Sequence, residues 1–86
     1  MSLNRYAKRR DANERGIIEK LESFGYAVEP LGDAPFDLLV SRDGHVWLLE
    51  VKAKRGRLTP RQVEFRERFP VRVVRTAVEA LAAVSS

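Results

Sequence analysis

Residues 37–52 read DLLVSRDGHVWLLEVK, and this stretch decides the fold because two apolar runs flank the pair Asp43-Gly44. An Asp-Gly pair between such runs is a strong signal for a two-residue hairpin turn. We therefore predict a β-hairpin in which Arg42 faces His45. Because both runs are nearly continuous, we expect the hairpin to be buried on both faces.

The same register places Asp37 directly opposite Glu50, at the end of the hairpin away from the turn. Side chains alternate between the two faces of a strand, so Lys52 shares the face of Glu50. Two carboxylates about 5 Å apart repel by roughly 3 kcal/mol at an effective dielectric near 20. A divalent cation between them would turn this repulsion into coordination. We favour that interpretation over an edge ion pair of Glu50 with Lys52 and a purely structural Asp37.

A further acid, Glu14, stands three, four and seven residues before apolar residues of the first predicted helix. Its carboxylate is therefore expected on the apolar stripe of that helix, facing the sheet. A buried acid needs a partner, and a second metal ion or a metal-bound water would supply one. The alternatives are helix capping after Asp11, or an ion pair with Arg10 or Lys52.

The whole pattern predicts one domain, residues 1–86, with a small α/β sandwich of order α-β-β-β-α-β-α around a mixed four-stranded sheet. Capping signals and apolar periodicity set the helix ends, and a helical crossover makes the fourth strand parallel to the third. The predicted helices run from about Asn4 to Phe24, from Pro60 to near Phe69, and onward from Thr76; the predicted strands are Tyr26–Glu29, Phe36–Val40, His45–Lys52 and Val71–Val74.

Composition narrows the chemistry further. The chain has no cysteine and one histidine, which excludes disulfides, thiolate zinc sites and multi-histidine sites. A bound metal would have to be a hard cation held by oxygen, such as Mg²⁺, Mn²⁺ or Ca²⁺. No apolar run approaches the ~20 residues of a membrane span, and no signal peptide is evident, so we expect a soluble cytoplasmic protein. A short chain buries little surface, so we also expect a homodimer.

Lysine and arginine number 16 against 12 acids, a net charge of +4, and the basic residues are clustered. Clustered basic charge favours a polyanionic partner, with nucleic acid first, although a solvated basic loop is the simpler alternative. We favour phosphate binding because one cluster adjoins the carboxylates. The candidate nucleic-acid-binding residues are Lys54, Arg55, Arg57 and Arg61 in one cluster and Lys8, Arg9 and Arg10 in the other.

Three other residues have competing interpretations. Gln62 either completes a capping box with Thr59 or contributes to the site, and we expect the two roles to compete for its side chain. Trp47 points away from Glu50 by alternation, which favours core or dimer packing over base stacking. His45 flanks the turn and is expected to be a surface residue.

These motifs resemble the restriction-endonuclease-like PD-(D/E)XK nucleases. Residues 49–53 (LEVKA), followed by residues 56–62 (GRLTPRQ), are similar to the VRR-NUC branch of that superfamily. The resemblance covers roughly residues 14–74. It implies an endonuclease that hydrolyses phosphodiester bonds of DNA with Mg²⁺ or Mn²⁺, including structured or branched DNA.

The resemblance also implies roles for individual residues. Asp37, Glu50 and the Val51 carbonyl would bind metal, Glu14 would bind it directly or through water, Lys52 would position the attacking water, and Gln62 would orient Lys52 or that water. The rival hypotheses are a non-catalytic nucleic-acid-binding module with the same fold, and an assembly protein that self-associates through its sheet.

Overall fold

A computed structural model describes residues 13–85 of the chain. Three helices and four strands follow one another in the predicted order, and the strands form one sheet of order β1-β2-β3-β4. Strand β4 is parallel to β3 and the other neighbours are antiparallel, so the predicted mixed sheet is confirmed. The helices are α1 (Glu14–Ser23), α2 (Pro60–Arg68) and α3 (Ala77–Ala83); the strands are β1 (Ala27–Pro30), β2 (Leu38–Arg42), β3 (His45–Val51) and β4 (Val71–Val74).

The hairpin of β2 and β3 has the predicted register from the turn to the pair Leu38 and Leu49. Asp43 and Gly44 have φ angles of 52° and 82°, the left-handed values that a two-residue turn of this kind requires. The ladder stops there, so the prediction that Asp37 occupies a paired position opposite Glu50 is wrong. The backbone N–H of Asp37 instead donates to the carbonyl of Leu49, at 3.0 Å.

Several predicted boundaries also shift. Strand β2 begins at Leu38 rather than Phe36, because residues 32–37 bend between β1 and β2. Strand β1 includes Pro30, which is tolerated because β1 lies at the sheet edge, where a missing N–H costs least. Of the first predicted helix, α1 accounts for residues 14–23, and residues 4–12 lie outside the described part of the chain.

One face of the sheet carries the core. Helices α1 and α3 pack together on this face, where apolar side chains from both helices meet alternate residues of the strands. The buried cluster consists of Ile17, Leu21, Leu38, Val40, Leu49, Val51, Val74, Ala80 and Val84.

The opposite face is covered less completely, so the predicted burial of the hairpin on both faces is wrong. Val46 is 59% exposed, and Leu39 and Leu48 are only half-buried. The reason is that α2 is the helix packed on this side, and it buries none of its own residues. On this face, the end of β3 near α2 is therefore more buried than the end near the turn.

Within residues 13–85, no helix is both long enough and apolar enough to cross a membrane.

Two valines on the hairpin provide a matched test of this asymmetry. Val40 is fully buried, whereas Val46 is 59% exposed. We expect Val40→Ala to lower the free energy of unfolding by about 2 kcal/mol, through lost apolar burial and a new cavity. Val46→Ala should change it by no more than about 0.5 kcal/mol. Urea denaturation of both variants checks this, and equal losses would contradict the one-sided core.

Candidate active site

Four polar side chains converge at the end of the hairpin away from the turn. Glu50 lies on β3 and Lys52 follows the strand by one residue, so alternation puts both on the face that α2 covers. Asp37 comes from the loop before β2, and Gln62 from the first turn of α2. The predicted grouping of Asp37, Glu50 and Lys52 is thus present in the fold, and Gln62 joins it.

The carboxylate of Glu50 lies at the centre of this group. The residue is 2% exposed, one of two buried acids among the described residues. Its Oε2 atom accepts a hydrogen bond from Gln62 Nε2 at 2.9 Å and lies 3.4 Å from Lys52 Nζ. Its Oε1 atom is buried and has no hydrogen-bond partner within residues 13–85. One oxygen is therefore held in place, while the other is available as a ligand.

Asp37 is fixed by the backbone of β3 rather than by strand pairing. Its Oδ2 atom accepts a hydrogen bond from the backbone N–H of Val51 at 2.8 Å. This bond anchors the carboxylate beside Glu50 even though Asp37 lies outside the ladder. This side-chain bond therefore holds Asp37 near Glu50, although the strand pairing that the register predicted ends at Leu38.

Gln62 performs two structural tasks at once. Its Oε1 atom accepts from the backbone N–H of Thr59 at 2.9 Å, and its own backbone N–H donates to Thr59 Oγ1 at 3.2 Å, which completes the predicted capping box. Its Nε2 atom meanwhile donates to Glu50. The expectation that these roles compete is wrong, because they use opposite ends of one amide. The helix cap thereby fixes the direction of the amide group that faces the site.

The environment of Glu50 raises its pKa from 4.5 to about 7. Burial is the largest cause because it removes water from the charged form, and the neighbouring Asp37 carboxylate adds repulsion. Lys52 acts in the opposite direction but does not cancel these effects. The positive charge of Lys52 is therefore not enough to balance burial and the second carboxylate.

This arrangement fits a hard divalent cation. Asp37 and Glu50 supply carboxylate oxygens, and such oxygens are the ligands that Mg²⁺ and Mn²⁺ prefer. One of them, Glu50 Oε1, is buried and has no hydrogen-bond partner among the described residues. The Val51 carbonyl belongs to the same strand end. A bound cation would offset the repulsion that raises the pKa of Glu50.

Glu14 is the other buried acid, 3% exposed, at the start of α1. Its burial agrees with its predicted position on the apolar stripe. Within residues 13–85, however, no three His, Cys, Asp or Glu side chains are placed together to hold a metal. Glu14 therefore does not complete a three-carboxylate cluster with Asp37 and Glu50 in this structure.

The predicted basic cluster lies beside the carboxylates. Residues 52–59 connect β3 to α2, and the side chains of Lys54, Arg55 and Arg57 are exposed there. Arg61 is exposed on the first turn of α2. The second predicted cluster, Lys8, Arg9 and Arg10, lies outside the described residues.

Sequence reasoning missed Arg75, which holds this basic loop in shape. One end of its guanidinium, Nη1, donates to the carbonyls of Ala53 and Gly56, the latter at 3.0 Å, with the Lys54 carbonyl at 3.5 Å. These acceptors are neutral carbonyls, whereas the Glu79 carboxylate accepts from the backbone N–H of Arg75 at 2.6 Å. The arginine therefore shapes the loop by binding its carbonyl groups.

The signal for Arg75 was its place in the chain. It directly follows β4, which runs parallel to β3, so the two strands end at the same edge of the sheet. The bond from the Lys52 N–H to the Val74 carbonyl continues this pairing to the start of the loop. A residue immediately after β4 consequently meets the loop that leaves β3.

Comparison with known proteins identifies the type of fold. The sequence matches no family model and no curated protein. A solved structure titled "VRR_NUC domain" has a TM-score of 0.67 and 28% sequence identity to this chain, covering 83% of it and 88% of the solved chain. This α/β domain therefore has a nuclease-type architecture. More narrowly, its fold is VRR-NUC-like, as the sequence motifs predicted.

The raised pKa of Glu50 gives a pH-dependent stability. Below about pH 4.5 the carboxyl is protonated in both states; above it the unfolded chain loses its proton first, so folding becomes less favourable until about pH 7. In the presence of EDTA, the Glu50→Gln variant should not show this decrease in the free energy of unfolding. Relative to the variant, the free energy of unfolding of the wild type should fall by roughly 2 to 3 kcal/mol between pH 4.5 and about 7. Urea denaturation at several pH values checks this, and parallel curves would contradict it.

Loss of the Arg75 side chain should loosen the basic loop without unfolding the domain. We expect Arg75→Met to speed trypsin cleavage after Lys54, Arg55 and Arg57 at least about fivefold, because each cut requires local opening. Arg72→Met, on the same strand, is the matched control, because Arg72 Nη1 donates to the Ala83 carbonyl. Mass spectrometry of the early fragments, with melting curves of both variants, makes the comparison. Unchanged loop cleavage in Arg75→Met would show that the contacts do not restrain the loop.

Proposed function

We propose that this protein is a divalent-metal-dependent nuclease that hydrolyses phosphodiester bonds of DNA, acting as an endonuclease. The observation that carries the proposal is the buried Glu50 carboxylate, which has Asp37 beside it and Lys52 and Gln62 on one oxygen. Its other oxygen has no hydrogen-bond partner within residues 13–85. A structural ion pair would require Lys52 alone. It would not require a second carboxylate fixed next to the first.

In this proposal Asp37, Glu50 and the Val51 carbonyl bind Mg²⁺ or Mn²⁺. When bound, the cation would polarise the phosphate and lower the pKa of a coordinated water. The N–H bond from Val51 keeps the Asp37 carboxylate directed at the site. Glu14, buried on α1, is proposed to act through water rather than by direct contact.

Lys52 is placed to hold the attacking water and to offset negative charge that develops on the phosphate. Its Nζ lies 3.4 Å from Glu50, and the side chain is 17% exposed, so it faces the site with limited access to solvent. Gln62 restrains the same carboxylate oxygen that Lys52 approaches. It is therefore proposed to position Lys52, and its own orientation depends on the Thr59 cap.

The basic loop supplies the attraction for DNA. Lys54, Arg55, Arg57 and Arg61 lie next to the carboxylates. Contacts of this kind bind phosphates without reading sequence, so binding should weaken steeply as salt increases. Lys8, Arg9 and Arg10 are proposed to extend this surface.

Activity on structured or branched DNA, and a homodimer, are finer parts of the proposal. The support for preferring branched DNA is the resemblance to the VRR-NUC family, and the support for a homodimer is the small size of the core. A panel of linear, flapped and four-way DNA substrates tests the first. Light scattering at several protein concentrations tests the second.

A non-catalytic DNA-binding module with the same fold is the second candidate. The observation that favours it is that residues 13–85 contain no group of three acidic or other metal-binding side chains placed to hold a metal. Calorimetry with Mn²⁺ separates the two. Binding that disappears in Asp37→Asn and Glu50→Gln supports the nuclease, whereas no carboxylate-dependent binding supports the module.

The central prediction concerns cleavage. With Mn²⁺, wild type should cut DNA, and Lys52→Met or Glu50→Gln should lower the rate at least about a hundredfold, as expected for loss of a group that acts in the transition state. Lys54→Met is the matched control: it removes the same charge two residues away and should weaken binding more than the maximal rate. Single-turnover assays on a flapped substrate measure this. Cleavage that persists in both site variants would disprove the assignment.

A further inference from the structure

A second concave site lies at the turn end of the hairpin, on the core face of the sheet and so on the side opposite Glu50. The cavity measures about 570 Å³, within the ~300–1,000 Å³ typical of ligand pockets. Its lining includes Tyr26, Arg42, Asp43, His45, Trp47 and Val84. Tyr26 and Trp47 also pack against the core, and the proposed nuclease site uses none of these side chains.

Three rings form a continuous aromatic wall in this pocket. Trp47 meets Tyr26 edge to face, with ring centroids 5.8 Å apart and planes at 75°. The Trp47 ring also lies 5.9 Å from the ring of His45, with planes tilted by 36°. Trp47 is half-buried and His45 is exposed, so the wall is partly open to solvent. Trp47 thus packs against the core, one of the two predicted alternatives, and its partly exposed ring also leaves surface for stacking, which the sequence pattern disfavoured.

Arg42 adds a planar cation at the mouth of the pocket. Its guanidinium lies 4.8 Å from the centre of the Tyr26 ring. A hydrogen bond from Nη1 to the Phe24 carbonyl, at 3.0 Å, and the neighbouring Asp43 carboxylate, at 3.6 Å, hold it there. A guanidinium carries five N–H donors, so these contacts leave donors for a ligand.

We propose that this pocket binds an unpaired nucleobase of a single-stranded polynucleotide. Aromatic walls with a nearby guanidinium suit a flat ring by stacking, and Arg42, Asp43 and His45 offer donors and acceptors to its edge. The net charge of +4 favours a ring carried by a polyanion over an uncharged aromatic ligand. A paired base lies inside its duplex and cannot enter such a pocket.

The proposal deepens the proposed function and rests on it only for the identity of the polymer. The pocket and the carboxylates lie at opposite ends of the same hairpin and on opposite faces of the sheet. A base held in the pocket therefore belongs to a segment separate from the bond that is cut. A DNA substrate with a single-stranded segment beside its duplex meets both requirements.

Trp47 provides a direct measurement because it is the one tryptophan of the chain. In EDTA, which separates binding from cleavage, a short oligothymidine should quench its emission in a saturable way. A hairpin duplex of equal charge should give at least about fivefold less quenching at the same concentration, because its bases are stacked away. Equal quenching by the two probes, or no saturable quenching by oligothymidine, would overturn the proposal.

Two arginine variants test the pocket itself. Arg42→Gln should weaken the oligothymidine-induced quenching at least about fivefold, because it removes the stacked cation. Arg68→Gln is the matched control: Arg68 also lies over aromatic rings, 5.2 Å from Phe69, but outside the pocket, and its loss should change the affinity less than about twofold. Similar losses in both variants would indicate charge attraction alone and overturn the proposal. Nuclease activity without pocket binding would overturn the pocket proposal and leave the proposed function intact. Pocket binding without nuclease activity would support the pocket proposal and overturn the proposed function.

Discussion

A carboxylate buried beside another carboxylate is the constraint on which the end of the hairpin depends. Glu50 is 2% exposed, and the groups that contact its carboxylate are Gln62 from α2 and Lys52, one residue beyond β3. Burial and Asp37 raise its pKa, and Lys52 only partly compensates. The fold therefore accepts a locally unfavourable charge arrangement, which is common where a protein prepares a site for a ligand rather than for stability alone.

Because successive side chains of β3 point to opposite faces of the sheet, the two carboxylates are separated from the core. Leu49 and Val51 point toward α1 and α3, whereas Glu50 between them points toward α2. One continuous strand thus supplies apolar packing on one side and charged groups on the other. Because α2 buries none of its own residues, it serves the site more than the core. The core and the candidate site thus occupy different faces of the same sheet.

Much of this arrangement was predictable from the sequence because short-range rules determine it. The Asp43-Gly44 turn set the hairpin register, and Thr59 with Gln62 set the start of α2. What could not be predicted depends on side chains replacing backbone partners. Asp37 reaches the site through its hydrogen bond to Val51 although the ladder ends before it. Arg75 acts on a loop about 20 residues earlier, and only the parallel pairing of β3 and β4, not a capping or periodicity rule, points to this contact.

The hydrogen bonds that assemble the site join residues close in the chain. Gln62 is 12 positions from Glu50, and Asp37 is 14 positions from Val51. Closing loops of this length costs less chain entropy than closing the much longer loop between the two core helices. The core, in contrast, brings Ile17 and Leu21 against Ala80 and Val84 from the other end of the chain. The geometry of the candidate site is consequently encoded in one short hairpin-and-helix segment, and α1 and α3 pack on the opposite face of its sheet.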